Sequence, residues 1–192
     1  PATAALRTRR PGAVPPSTPG ASTSADAPRQ RVGVIGLGIM GSAMAHNLRR
    51  DGFEVWGYDP SPAARKALKA MGGTVCKNAA DVAGRVDAVI TSLPSAAALL
   101  ETARDLSEGA ARGLIVIETS TLDIEDKRQA RDALQKVGVV LLDCPLSGTG
   151  AQAALKDLTI YASGPASAIR KVEPVFKGFT SAQFNLGVFG NG

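Results

Sequence analysis

The residues best placed to do chemistry form a glycine cluster near position 36. Gly36-Leu37-Gly38-Ile39-Met40-Gly41 spells G-x-G-x-x-G. Alone the pattern says little, because glycine fills 21 of 192 positions. Its setting says more. It follows a short β-branched run, Arg31-Val32-Gly33-Val34-Ile35, and opens a helical stretch. Gly36 then permits a tight turn, Gly38 lets backbone approach a pyrophosphate, and Gly41 lets the helix pack closely on the strand. Leu37, Ile39 and Met40 complete the loop. The pyrophosphate would face free N–H groups and the positive dipole end of the helix. Asp59 ends the next strand, 18 residues after Gly41, where an acid holds the adenosine ribose hydroxyls. A carboxylate there would repel a 2′-phosphate, so NAD is the expected cofactor, ahead of NADP. Arg65 and Lys66 fall inside the following helix and are weaker phosphate candidates. The plainer readings are a glycine-rich turn without ligand and a turn-forming Asp59-Pro60 step.

Other chemistries find little material. One histidine, His46, leaves no room for a histidine-based metal site or a Ser/His/Asp triad. Two cysteines, Cys76 and Cys144, cannot make a disulfide framework or a four-ligand zinc site. Cys144 lacks a basic partner in sequence and reads as a packing residue. Met40, Met44 and Trp56 read as packing, and Asp123, Glu125 and Asp126 as acids suited to a helix start. No metal-ligand constellation appears.

The elements that must position the loop alternate. Strands are expected at 31–35, 53–58, 74–76, 87–92, 114–117, 138–142 and 158–162, with a last one at 182–189. Helices are expected at 39–50, 61–71, 78–83, 95–107, 123–137 and 165–176. A loop of small residues runs from Cys144 to Gly150. Strands and helices alternating about every 25 residues mean βαβ units. The strands are apolar throughout rather than alternating, as in strands buried on both faces. The expected fold is α/β: a Rossmann-like, doubly wound, mainly parallel sheet.

The net charge of +5 is unevenly spread. Residues 1–30 hold six of the twelve prolines and carry Arg7, Arg9, Arg10 and Arg29 against Asp26. Such a stretch buries too little apolar surface to offset its ordering entropy, so 1–30 is expected to be a disordered basic tail and 31–192 the folded domain. Its acid-poor Arg/Ser/Ala character also resembles an organelle transit peptide, mitochondrial or plastid; without that role the expected location is cytoplasmic. Scattered arginines without aromatics do not argue for nucleic acid. No run of 18 apolar residues exists, so no membrane span is expected.

Gly36-Leu37-Gly38-Ile39-Met40-Gly41-Ser42-Ala43-Met44-Ala45-His46-Asn47-Leu48 closely resembles the signature of the β-hydroxyacid dehydrogenases. That family contains 3-hydroxyisobutyrate dehydrogenase and tartronate semialdehyde reductases and is related to 6-phosphogluconate dehydrogenase. The resemblance covers about residues 31–192. Leu93-Pro94 looks like the family's loop against the cofactor. Glu118-Thr119-Ser120-Thr121 is similar to its acidic-x-Ser-Thr segment, which implies a cofactor contact at Thr121. Asp143-Cys144-Pro145-Leu146-Ser147-Gly148 resembles its substrate segment. It implies Ser147 as the active-site serine, with Ser147, Gly148 and Thr149 at the substrate carboxylate. The family's second glycine is replaced by Thr149, its further glycines fall at Gln152 and Lys156, and its cofactor-contacting asparagine falls at Ala98.

The resemblance implies reversible oxidation of a short 3-hydroxy acid, with a lysine as proton acceptor and a helical second domain that carries a dimer or tetramer contact. None of the eight lysines stands where the family's catalytic lysine would. Gly187-Val188-Phe189-Gly190-Asn191-Gly192 looks like the run into that segment. The parent is therefore expected to be a dehydrogenase and this stretch inactive alone. The alternatives are a non-catalytic dinucleotide-binding module and an imine reductase of the same fold.

Overall fold

The computed structural model describes residues 30–192. The expected tail, Gln30 apart, lies outside the described residues. The chain runs β1 (Arg31–Ile35), α1 (Ile39–Arg50), β2 (Glu54–Tyr58), α2 (Pro62–Ala70), β3 (Thr74–Val75), α3 (Ala79–Ala83), β4 (Ala88–Thr91), α4 (Ala96–Gly109), β5 (Ile115–Glu118), α5 (Ile124–Lys136) and β6 (Val140–Asp143). It continues through β7 (Leu146–Ser147), α6 (Gly150–Ala154), β8 (Thr159–Ala162), α7 (Ala166–Phe179) and β9 (Ala182–Asn185).

Six strands form one parallel sheet in the order β3-β2-β1-β4-β5-β6. The chain winds outward from β1 to β3, returns to the other side of β1, and winds outward again to β6. A crevice opens where the two halves diverge, at the C-terminal ends of β1 and β4. Both faces of the sheet are covered. Val34, Ile90, Ile117 and Leu142 pack with Met44 and Leu48 of α1 and Val172, Phe176 and Phe179 of α7. On the other face, Val89, Val116 and Leu141 pack with Val82 of α3, Leu99 and Leu106 of α4, and Leu134 of α5. Burial on both faces explains the uninterrupted apolar strands.

Three features depart from the expected layout. A second, mixed sheet, β7-β8-β9, joins β7 to β8 antiparallel and β8 to β9 parallel. The loop expected over 144–150 contains β7, and a five-residue helix, α6, follows directly. Thr149 starts that helix in a reciprocal capping box with Gln152. Elements this short carry no readable period. The last strand stops at Asn185, because Gly187 turns the chain with φ +83°.

Helix α6 is seated on α1. The buried Asn47 side chain donates to the Ala153 carbonyl at 2.7 Å, and Lys156 pairs with Asp51 beyond it. Lys156 stands at φ +61°, a left-handed conformation at the position where the resemblance places glycine. Asn47→Ala removes the tie between the helices. It is expected to cost about 1–3 kcal/mol, read as a lower urea midpoint with an unchanged m-value.

Candidate functional site

The crevice is a cleft of about 560 Å³. Gly36, Gly38, Ile39 and Met40 form one end of its lining, and Tyr58, Asp59 and Pro60 one side. Ser92, Leu93 and Pro94 line it from the β4 side, and Ala79, Ala98, Glu101, Thr102 and Asp105 contribute from α3 and α4. Most of these come from the C-terminal ends of β1, β2 and β4 and from the loops leaving them. A second groove, of about 400 Å³, lies at the β6 edge against Arg131, Leu141, Pro165 and Phe189, away from the glycine loop.

The three glycines do different work. Gly36 sits at φ +86°, and a Cβ there would stand 2.1 Å from the Ser92 carbonyl oxygen. A Cβ on Gly41 would stand 1.8 Å from the Gly36 carbonyl oxygen, so the helix closes on the turn as well as on the strand. At Gly38 the corresponding space is open, with no atom within 4 Å. Its φ of −70° suits any residue, so the backbone itself does not require glycine there.

The start of α1 fits an anion. Helices α2 to α6 are each capped by a side chain: Ser61, Asn78, Ser95, Asp123 and Thr149. Helix α1 starts at Gly38 with no side-chain cap and no acid in its first turn. The N–H groups of its first turn have no partner within the helix. Together with the open space at Gly38, this is the cradle that a pyrophosphate needs.

Asp59 is at the predicted place, and it also braces the loop. One carboxylate oxygen accepts from the Leu37 N–H at 2.7 Å and the other from the Ser61 N–H at 2.8 Å. The Ser61 contact is that of a turn-forming acid, the Leu37 contact holds the glycine loop, and the same residue lines the cleft. The Leu37 side chain is buried in the core, so its part in the loop is played by the backbone. Arg65 donates to the carbonyls of Asp59 and Pro60, at 2.6 and 2.9 Å, and lies over the Tyr58 ring.

The Leu93-Pro94 loop is held from β5. Ser120 Oγ accepts from the Leu93 N–H at 2.8 Å, and the Thr119 hydroxyl donates to the Thr91 carbonyl at 2.7 Å. Thr121 is exposed and is not part of the cleft wall. Ser147, Gly148 and Thr149 are exposed and lie outside the cleft. Gly148 has φ +138°, and Thr149 is occupied as the α6 cap. What joins this segment to the glycine loop is Gly150, where a Cβ would come within 2.5 Å of Ile39.

Beneath the substrate-like segment lies a buried ionic cluster that the sequence did not announce. Lys127 Nζ donates to Asp143 at 2.7 Å, with both side chains at most 4% exposed. Ser163 Oγ donates to Asp143 and accepts from the Gly190 N–H. On β5, one Glu118 oxygen accepts from the Ser120 N–H, and the other is buried without a partner. Burial pushes the Glu118 carboxyl above the usual carboxylate range, against the pull of Lys127. Cys144 is fully buried and its thiol is pushed far upward by burial, so it is a packing residue. Among the described residues no cluster of three or more metal-ligating side chains occurs, and no helix is long and apolar enough to cross a membrane.

A family model described as the NAD binding domain of 6-phosphogluconate dehydrogenase matches residues 31–187. The chain belongs to that family. A probable 3-hydroxyisobutyrate dehydrogenase of Mycobacterium tuberculosis is 30% identical over 161 residues, covering 84% of this chain and 55% of the relative. The mitochondrial 3-hydroxyisobutyrate dehydrogenase of Rattus norvegicus is 34% identical, covering 83% of this chain and 46% of the relative. An L-threonate dehydrogenase of Haemophilus influenzae is 32% identical, covering 81% and 53%. The solved M. tuberculosis 3-hydroxyisobutyrate dehydrogenase with L-serine superposes at a TM-score of 0.83 with 30% identity, covering 85% of this chain and 56% of that one. The chain thus spans about half the length of the curated relatives it matches. The six-stranded sheet is this family's dinucleotide-binding fold. An imine reductase from Pseudomonas sp. shares the fold at 21% identity and a TM-score of 0.78.

Two substitutions test the ionic cluster. Lys127→Met strands Asp143 as an unpaired buried charge and is expected to cost about 3–5 kcal/mol in urea unfolding. Glu118→Gln acts in the opposite direction. A carboxyl whose folded pKa is raised holds its proton more tightly when folded, so it costs stability as pH rises above the ordinary carboxylate value. Gln is therefore expected to stabilise by about 1 kcal/mol at pH 8, and by less at pH 5. Equal effects at both pH values would contradict that account.

Proposed function

We propose that the chain is the dinucleotide-binding part of a dehydrogenase acting on short 3-hydroxy acids, such as 3-hydroxyisobutyrate or a related semialdehyde, with NAD preferred to NADP. The observation that carries the reading is the open backbone at Gly38, set between a turn that tolerates no side chain and an uncapped helix start. The backbone N–H groups of Gly38, Ile39 and Met40 hold the pyrophosphate, and Gly36 provides the turn that presents them. Asp59 receives the ribose hydroxyls, and Leu93-Pro94 sets the position of the nicotinamide half. A bound nicotinamide supplies the hydride acceptor or donor. Relatives named 3-hydroxyisobutyrate and L-threonate dehydrogenase support the substrate class.

Ser147 and the Gly148 backbone hold the substrate carboxylate in this reading, and Thr149 fixes the start of α6 beside them. The reaction also needs a proton acceptor at the carbinol oxygen. Lys127 does not serve, because it is buried and committed to Asp143. The 192-residue chain is therefore expected to bind NADH and to show no turnover of 3-hydroxyisobutyrate. Turnover at rates typical of enzymes would place the acceptor within this chain and refute that expectation.

The decisive variant is Gly38→Val. Its side chain enters open space at an ordinary φ, so the unfolding midpoint should stay near that of the parent. NADH binding, followed by nucleotide fluorescence, should weaken at least tenfold, because the branched side chain occupies the phosphate cradle. Unchanged NADH affinity in a folded Gly38→Val protein would remove the basis of the proposed function. Activity on cyclic imines rather than hydroxy acids, with a protein that includes the remainder of the relatives' length, would move it to the imine reductases.

A further inference from the structure

The glycine loop fixes where the phosphates go, and Asp59 fixes the adenosine ribose. On that reading of the cleft, the base can go only beyond Asp59. The lining left for it includes Tyr58, Pro60, Ala79, Ala98 and Thr102, a mostly apolar set. Two carboxylates, Glu101 and Asp105, line the same cleft. Ala98, Glu101, Thr102 and Asp105 lie three and four residues apart on α4, so one face of that helix presents them together.

These carboxylates are not used elsewhere in the fold. Among the described residues, Glu101 has no ion pair, and the partner of Asp105 is Arg104 at 4.0 Å, a marginal contact. Asp105 is half-buried, with 33% of its side chain exposed, while Glu101 is exposed. The described wall contains three acids, Asp59, Glu101 and Asp105, and no lysine or arginine. The nearby cation, Arg65, is turned onto two backbone carbonyls and the Tyr58 ring.

We propose that Asp105 and Glu101 form the adenine end of the site: Asp105 accepts a hydrogen bond from the exocyclic amine of the base, and both acids, with Asp59, exclude a 2′-phosphate. The amine is the donor that distinguishes adenine from hypoxanthine at this edge. Hypoxanthine presents a carbonyl oxygen there, which a carboxylate repels. A half-buried carboxylate suits the amine contact, and an exposed one contributes charge alone. Selection against NADP is thereby spread over three acids, one just after β2 and two on α4, rather than resting on Asp59.

The test compares NADH, NADPH and the hypoxanthine analogue of NADH as ligands of the purified chain, by fluorescence titration at low and high salt. The parent chain is expected to bind NADH about tenfold more tightly than the hypoxanthine analogue. Asp105→Ala should bring those two affinities together. The charge-neutral pair Glu101→Gln with Asp105→Asn should narrow the preference for NADH over NADPH at least threefold. High salt should narrow it in the parent by a similar route. Equal affinity of the parent for NADH and the hypoxanthine analogue overturns the amine contact. An unchanged NADH/NADPH ratio in the charge-neutral pair overturns the exclusion. Failure of the parent to bind any of the three would instead strike at the proposed function itself. Binding of NADH without either discrimination would leave that function standing and sink this inference.

Discussion

A missing Cβ at Gly36 is the constraint on which the rest of the site depends. At that point the chain leaving β1 is squeezed between the ends of β2 and β4. The Gly36 N–H donates to the Tyr58 carbonyl, the Leu37 N–H to Asp59, and the Ser92 N–H to the Ile35 carbonyl. A side chain would collide with the backbone of Ser92. Because that space is filled by neighbouring strands, the turn can be tight enough to send α1 back over the sheet. The N-terminus of α1 then faces the crevice that the strand order has opened. Gly41 tightens the same arrangement from the helix side. Gly38 is left as the glycine whose absent side chain makes room for something outside the fold.

The core of this arrangement was legible in the sequence. The glycine spacing, the β-branched run before it and the acid at Asp59 are local signals that survive in one dimension. The central strands β1, β4, β5 and β6 were readable because they are buried on both faces and are almost wholly apolar, whereas β2 is half-buried and β3 is exposed. The second sheet was not, since β7 has two residues and α6 five, too few to show a period. The signal for α6 was the Thr149–Gln152 cap. Thr121 shows a different limit. The segment around it was identified, but not that Thr119 and Ser120 turn inward to brace the neighbouring loop while Thr121 stays exposed. Which face of a strand end is presented depends on the partner strand.

The α4 side of the cleft illustrates the same limit from the other direction. Glu101 and Asp105 look like ordinary surface acids of an amphipathic helix. Their spacing was visible, but that spacing is common. They gain meaning from α4 being laid across the crevice by the Leu93-Pro94 turn, and that turn is in turn held by Ser120. The chain of support runs from β5 through a serine hydroxyl to a loop and then to a helix.

The joint between the two sheets is made of ions in a dry place. Asp143, at the end of β6, bridges to Ser163 beside β8 through both backbone and side chain, with Lys127 clamped beneath. Such a joint is brittle. If β8 is drawn away, water reaches the pair, and hydrated charges gain little from one another. The contact therefore has two conditions, shut or solvated, with little stable ground between. The small sheet cannot loosen gradually at its own edge. It must ride with the large one as a single cooperative unit, and the segment at Gly190, hung from the same serine, travels with both.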